Sequence, residues 1–361
     1  MKHMTEFRNP GLIRSLAAEI KRSSHTPVRL MEFCGGHTAA VFKYGLRQLL
    51  PGTVEMVSGP GCPVCVTDQS DLDRVLVLAR IPDVILATFG DMMKVPGSLG
   101  SLQTAAADGA DVRVVYSTLE ALALARRNPD RPVIFIGVGF ETTAPTVAAA
   151  ISRAEKEGLA NFYVLSLHKT CPPVIDALLS RGELNLHGLI CPGHVSTVTG
   201  ANAWAPLAKR HAMPCVVSGF EPADILQSVL MLVNQVESGR VAVENAYTRG
   251  CTREGNANAR KIIDTFFETG PAVWRGLGPV PASGLKIRNE YAAFDARRAF
   301  DASPPAPTSA PAGCLCGDIL RGVKIPPDCP LFKTVCTPST PAGPCMVSSE
   351  GACGTYYAYS E

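Results

Sequence analysis

The chain has 361 residues, 46% of them hydrophobic and 18% charged, a balance that belongs to a folded globular protein and excludes a disordered one. Its 34 basic and 32 acidic residues give a net charge of +2, and without a basic cluster there is no electrostatic case for nucleic acid. The first residues, MKHMTEFRNP, are charged and lack the apolar centre of a signal peptide, and apolar runs such as 133–140 are too short to span a bilayer, so a cytoplasmic protein of two or three domains is expected, with no membrane partner.

The predicted elements alternate. Apolar residues at Leu12, Ile13, Leu16, Ala17 and Ile20 predict a helix over 10–23, and VRLMEF predicts a strand over 28–33 that runs into the turn Cys34-Gly35-Gly36-His37-Thr38. A helix over 39–50 follows, then a strand over 54–57, the Gly/Pro turn SGPGCPVCVT at 58–67 and a helix over 68–79. Strands are predicted over 84–89, ending in Gly90-Asp91, and over 112–117, with a helix over 119–127. After RRNPDRP the theme restarts: strand 133–138, the turn Gly139-Phe140-Glu141-Thr142-Thr143, helix 144–157, and strands 162–166, 188–191 and 215–218. These last three strands lead into His168-Lys169, Pro192-Gly193-His194-Val195-Ser196 and Gly219-Phe220-Glu221-Pro222, and a helix is predicted over 223–237.

Strands alternating with helices through Gly-containing turns specify an α/β fold. Two similar doubly wound parallel-sheet (Rossmann-like) halves are expected, at 1–130 and 131–237, with a small irregular C-terminal domain at 238–361 that includes a Pro/Ala-rich linker at 301–312. Ligands of such sheets sit at the carboxyl ends of the strands. His37, Asp91, Glu141 and His194 all fall in strand-end turns and are candidate acid/base groups or hydrogen-bond donors, although such residues more often cap helices.

The thirteen cysteines are expected to be reduced in a cytoplasmic setting, which favours metal ligation and redox work over a disulfide framework. Cys171, Cys191, Cys215 and Cys251 are scattered and read as small buried hydrophobes. Cys62 and Cys65 form a C-x-x-C turn suited to a reversible dithiol or a soft-metal ligand pair. Six more lie between 314 and 353 amid Pro and Gly. Of these, Cys316, Cys329, Cys336 and Cys353 form a widely spaced all-thiolate set, with Cys314 and Cys345 in addition. The spacing favours an iron–sulfur cluster over zinc, with disulfides third.

The blocks MEFCGGHT at 31–38, SGPGCPVC at 58–65, TFGDMMKVPG at 88–97, GFETTAP at 139–145, PGHVS at 192–196 and DCPLF…C…CMVSSEGAC at 328–353 resemble those of the hydrogenase maturation protein family HypD, in the family's order and over nearly the whole length. The resemblance implies a redox-active scaffold for assembling the Fe(CN)2CO moiety of [NiFe]-hydrogenases. It would act with HypC and with HypE, HypF serving as cyanide source, and would pass the product to the hydrogenase large subunit. It implies that Cys34 helps hold the iron, that Cys62 and Cys65 are the redox dithiol, and that Cys316, Cys329, Cys336 and Cys353 ligate a [4Fe-4S] cluster; if the C-terminal domain folds back on the first domain, that cluster is expected to reduce the Cys62/Cys65 disulfide. Thiolates suit a low-spin iron carrying π-acceptor ligands. Gly35 and Gly36 would allow close backbone approach, and the helix start at His37 and Thr38 would favour the thiolate of Cys34. A different class, a freestanding Fe–S-dependent thiol–disulfide oxidoreductase, would have no need of Cys34.

Overall fold

The eight predicted strands form, and a ninth that the sequence reading missed joins them, all in parallel pairing: β1 (Val28–Glu32), β2 (Val54–Ser58), β3 (Ile85–Thr88), β4 (Asp111–Val114), β5 (Val133–Gly137), β6 (Phe162–Ser166), β7 (Gly188–Pro192), β8 (Cys215–Ser218) and the unpredicted β9 (Val243–Asn245). They come from a computed structural model that describes residues 5–303 and 311–360. Every residue of β3, β5, β7 and β8 is buried, as continuous apolar strands covered by helices on both faces must be.

The strands divide into a five-stranded sheet in the order β2-β1-β7-β8-β9 and a four-stranded sheet in the order β4-β3-β5-β6. The architecture is α/β with two doubly wound parallel sheets, as expected. The chain visits the sheets in an interleaved order, because β1 pairs with both β2 and β7. Residues 1–130 and 131–237 therefore each supply strands to both sheets. The helix expected over 39–50 instead starts earlier and breaks, forming Gly35–Lys43 and Leu46–Leu49. Gly45 between them takes a left-handed φ of +61°, which a continuous helix cannot accommodate.

Beyond β9 an antiparallel hairpin, β10 (Phe267–Trp274) with β11 (Gly278–Ile287), packs against the short helix Pro63–Val66. Arg275 N–H donates to Val66 O at 3.0 Å and its Nε to Thr67 O at 3.0 Å. The fully buried Trp274 is satisfied by donating from Nε1 to Ser283 Oγ at 2.8 Å. Part of the expected Pro/Ala-rich linker, residues 304–310, lies outside the described residues. The C-terminal block, with short helices Cys316–Leu320, Pro344–Val347 and Ala352–Tyr359, folds back on the five-stranded sheet. Tyr356 meets Phe42 at 4.3 Å between ring centroids and accepts from Arg47 Nη1 at 2.8 Å. Among the described residues no helix is long and apolar enough to cross a membrane.

Candidate functional site

Strand β1 ends at Glu32, and two residues later Cys34, still extended at φ −139° and ψ 124°, caps the helix Gly35–Lys43. Cys34 is buried, 8% exposed as a residue. Burial, and then the carboxylate of Glu350, push its pKa well up, while the backbone N–H groups of Gly36 and His37 pull the other way. Beneath it, Glu32 accepts the Cys34 N–H at 3.1 Å and the hydroxyl of Thr38. Burial raises the Glu32 carboxyl to about 8, so at neutral pH this cradle holds a proton.

Gly61 locks the second motif onto the first. A Cβ on Gly61 would sit 2.4 Å from Cys34 N and 2.5 Å from Phe33 C, and Gly61 O accepts the Gly35 N–H at 3.1 Å. The next residue, Cys62, starts the helix Pro63–Val66 and is disulfide-bonded to Cys65. Both are buried, and Cys65 Sγ lies 3.8 Å from Pro344 O in the C-terminal block.

A cavity of about 430 Å³ opens over Cys34, lined at its floor by Phe33, Gly61, Pro63 and Val64 and at its walls by the segments 89–92, 138–143 and 192–195. These stretches follow β1, β2, β3, β5 and β7, so the carboxyl ends of five strands from both sheets converge on one cleft. The cavity brings together Cys34, Asp91 and His194, three of the residues singled out from sequence, and adds Glu350. Burial, and then Asp91, raise the Glu350 carboxyl above its usual range.

His37 and Glu141 do not line this cleft. His37 is fully buried with Nε2 3.0 Å from Gly219 O, so Nε2 carries the hydrogen and burial lowers the ring to about 4. It stacks on Phe220 at 4.6 Å, and the same ring stacks on His194 at 3.8 Å, which couples the buried imidazole to the one at the cavity wall. Glu141 turns inward and accepts the Cys171 N–H at 2.8 Å, and burial raises its carboxyl to about 7. Gly35 and Gly36 sit at the helix start, where a Cβ on Gly35 would meet Glu350 O at 2.4 Å. Glu350 and Phe220 escaped the sequence reading. Attention in CMVSSEGAC went to the thiols, and an aromatic beside a helix start looks like ordinary packing.

The six C-terminal cysteines converge. Cys314, Cys316, Cys329, Cys336, Cys345 and Cys353 surround one small apolar void with Ile319, Phe332 and Met346. Cys316 Sγ is 2.9 Å from Cys345 Sγ, so Cys345, set apart from the ligand set by spacing, stands among the other four. Among the described residues no group of three or more side chains is spaced to grip a single metal ion. The donor chemistry, sulfurs without a histidine or carboxylate, fits a thiolate-held iron–sulfur cluster and equally an all-thiolate structural zinc. Cys171, Cys191, Cys215 and Cys251 are buried. Cys191 and Cys215 lie on adjacent strands, and Cys251 Sγ is 3.1 Å from Ser196 O.

A family model named HypD, described as the hydrogenase formation hypA family, matches residues 11–360. The chain is 48% identical to the hydrogenase maturation factor HypD of Rhizobium leguminosarum bv. viciae, over 99% of this chain and 96% of the relative. It is 48% identical to the HypD of Azotobacter vinelandii, over 99% and 97% of the two chains. It is also 44% identical to a putative hydrogenase expression/formation protein of Methanocaldococcus jannaschii, over 99% of each.

Proposed function

The chain belongs to the HypD family of hydrogenase maturation factors, and from that premise we propose that it is the cytoplasmic scaffold on which the Fe(CN)2CO moiety of a [NiFe]-hydrogenase is assembled. It works in complex with HypC and with HypE, HypF supplying cyanide, before the moiety passes to the hydrogenase large subunit. The observation that carries this reading is the single cleft at the carboxyl ends of five strands, with Cys34 at its floor and a Cys62–Cys65 disulfide behind it.

The iron is cargo. Cys34 offers it one soft donor, and N–H groups of Gly36 and His37 aimed at the sulfur favour the thiolate once a cation compensates its charge. One thiolate leaves the remaining positions for diatomic ligands and for a donor from HypC. Asp91, His194 and Glu350 line the wall where cyanide and CO would project. His194 is held in place by Phe220.

The Cys62–Cys65 disulfide takes up two electrons and two protons to give two thiols, a pair of equivalents next to the iron position. Cys316, Cys329, Cys336 and Cys353 would hold the [4Fe-4S] cluster, which supplies one-electron chemistry when bound. The helix Pro344–Val347 packs directly on the helix Pro63–Val66. With Cys62 3% exposed and Cys65 fully buried, a bulky protein disulfide has no approach, which weighs against a freestanding thiol–disulfide oxidoreductase.

Vibrational spectroscopy of the protein co-purified anaerobically with HypC tests this. Cyanide and CO stretches are expected in the native complex and absent from Cys34→Ala. Their persistence in that variant would move the iron elsewhere.

A further inference from the structure

Among the described residues thirteen large apolar or aromatic side chains are exposed, and five of them, Val323, Ile325, Val335, Tyr357 and Tyr359, belong to the C-terminal block. Single exposed apolar residues are ordinary, whereas several on one face mark an interaction surface.

The other faces of the block are covered. The helix Pro344–Val347 packs on the helix Pro63–Val66. A Cβ on Gly276, in the turn of the hairpin, would sit 2.5 Å from Gly317 Cα, and one on Gly322 would sit 2.4 Å from Met31 Cε. Tyr356 lies on Phe42. The open side is formed by the segment 324–335 and the end of the helix Ala352–Tyr359, which touch each other. That helix packs against the turn Pro326–Asp328, Phe332 meets Tyr357 edge to face at 6.4 Å, and Lys333 Nζ donates to Ser360 O at 2.8 Å. Ile325, Val335, Tyr357 and Tyr359 therefore share this side.

Two features say what it receives. The first is its place over the sulfurs: Val335 is bonded to Cys336, and the single turn Pro326–Asp328 separates Ile325 from Cys329. The second is charge. Lys324 and Lys333 are exposed on it, and Lys333 gives its hydrogen bond to a carbonyl rather than to a carboxylate. Asp328 is turned back to accept the Ile325 N–H at 3.0 Å, and the nearby Asp318 is taken up by Arg321. An apolar centre with a positive rim, smaller than a permanent interface, suits a brief electron-transfer encounter.

We infer that this face is where a small acidic one-electron carrier protein, of the ferredoxin type, docks to deliver electrons to the thiolate-held cluster. The inference rests on the iron–sulfur part of the proposed function and is independent of Cys34. Each encounter moves one electron from the reduced carrier to the cluster, and no bond forms or breaks. Two encounters match the two electrons taken up by the Cys62–Cys65 disulfide, which lies against a covered face of the same block.

The test is anaerobic stopped-flow on the full chain, mixed with a bacterial ferredoxin that has been reduced and freed of excess reductant, following loss of the cluster's visible absorption. Dithionite, which needs no docking face, is the parallel reductant. Reduction by ferredoxin is expected to saturate with its concentration and to slow as salt is raised. Val335→Ser, and Lys324→Gln combined with Lys333→Gln, are expected to slow it about tenfold at low salt. Dithionite should reduce the native protein and both variants at the same rate, which shows that these exposed substitutions leave the cluster intact. If ferredoxin fails to reduce a cluster that dithionite reduces, or reduces both variants at the native rate, the docking face is overturned and the iron–sulfur reading stands. A colourless protein that carries zinc removes that reading and the docking face with it. A concentration-dependent dimer dispersed by Val335→Ser would give the face to a second copy and overturn the proposal as well.

Discussion

Gly35→Ala isolates the contact by which the C-terminal block closes the Cys34 cleft. The new Cβ would lie 2.4 Å from both Glu350 Cβ and Glu350 O and 3.0 Å from Glu350 C. Two of those atoms are backbone and cannot rotate away, so relief to ordinary contact needs a shift of about 1 Å, the kind of overpacking that costs 1 to 3, typically about 2, kcal/mol. Ala also gains about 0.5 to 1 kcal/mol of helix propensity over Gly, and Gly36→Ala provides the control for that gain. There the nearest atoms are Phe220 ring carbons at 3.1 and 3.2 Å, which can give way. The thermal midpoint of Gly35→Ala is therefore expected to fall by about 3 °C relative to Gly36→Ala. Lifting Glu350 also lessens the burial and the negative charge that keep the Cys34 thiol protonated. Its alkylation by iodoacetamide, followed by peptide mass spectrometry, is expected to accelerate at least about tenfold. If Cys34 alkylates at the native rate and the midpoint does not move, the C-terminal block is not seated on Gly35 and the closed cleft is wrong.

Three further outcomes follow from buried groups. Glu141, raised to about 7 by burial, holds its proton in the native state while the unfolded carboxyl has lost it. This carboxyl alone thus takes about 1.4 kcal/mol of stability per pH unit from the native protein as pH rises from about 4.5 towards that value, and no more above it. Glu141→Gln, measured by urea unfolding at several pH values, should lessen the slope by that amount and leave the share of Glu32, which is raised to about 8; an unchanged slope would show that the Glu141 carboxyl is already ionised. Asp224, 2% exposed, is gripped by both terminal nitrogens of Arg249, so Asp224→Asn should cost about 3 kcal/mol because it leaves a half-buried guanidinium uncompensated. A loss below about 1 kcal/mol would class the pair with surface ion pairs. Arg47→Ala removes the fork between Tyr356 Oη and Met56 O, together with the cation stacked 4.5 Å from the Phe42 ring centroid. Hydrogen exchange should quicken selectively in the helix Ala352–Tyr359, by about tenfold or more, whereas uniform quickening would mean that this helix is not held at that point.

Periodicity made the strands and most helices legible, because burial on both faces forces continuous apolar runs whatever the partner. It carried no information on pairing. Nothing in VRLMEF distinguishes β2 from β7 as a neighbour, and β1 takes both. Glycines were half legible: the pair at 35 and 36 announces that something comes close, while the identity of that neighbour, the Glu350 backbone at Gly35 and the Phe220 ring at Gly36, depends on a tertiary fold that local pattern does not encode. The same limit hid the difference between His194 and His37. Both occupy strand-end turns, yet only the first lines the cleft, because the loop after β8 closes over the second.

The interleaved pairing has a chemical consequence. If residues 1–130 formed one sheet alone, the turns after β1 and β3 would lie along a single edge, and Cys34 and Asp91 would share a flat surface. With β1 in one sheet and β3 in the other, those turns face each other across a gap. The walls then belong to different layers, each rigid through its own ladder, and the cleft lies between them rather than on either. On the proposed assembly role, such a two-layer cleft would leave room for a diatomic-bearing metal and a partner's donor, while the Cys62–Cys65 helix, clamped by Arg275 from the hairpin and by Pro344 from the C-terminal block, remains at the floor. That helix is thus held by the hairpin and by the C-terminal block, and through Gly61 it is packed directly against the backbone of Cys34.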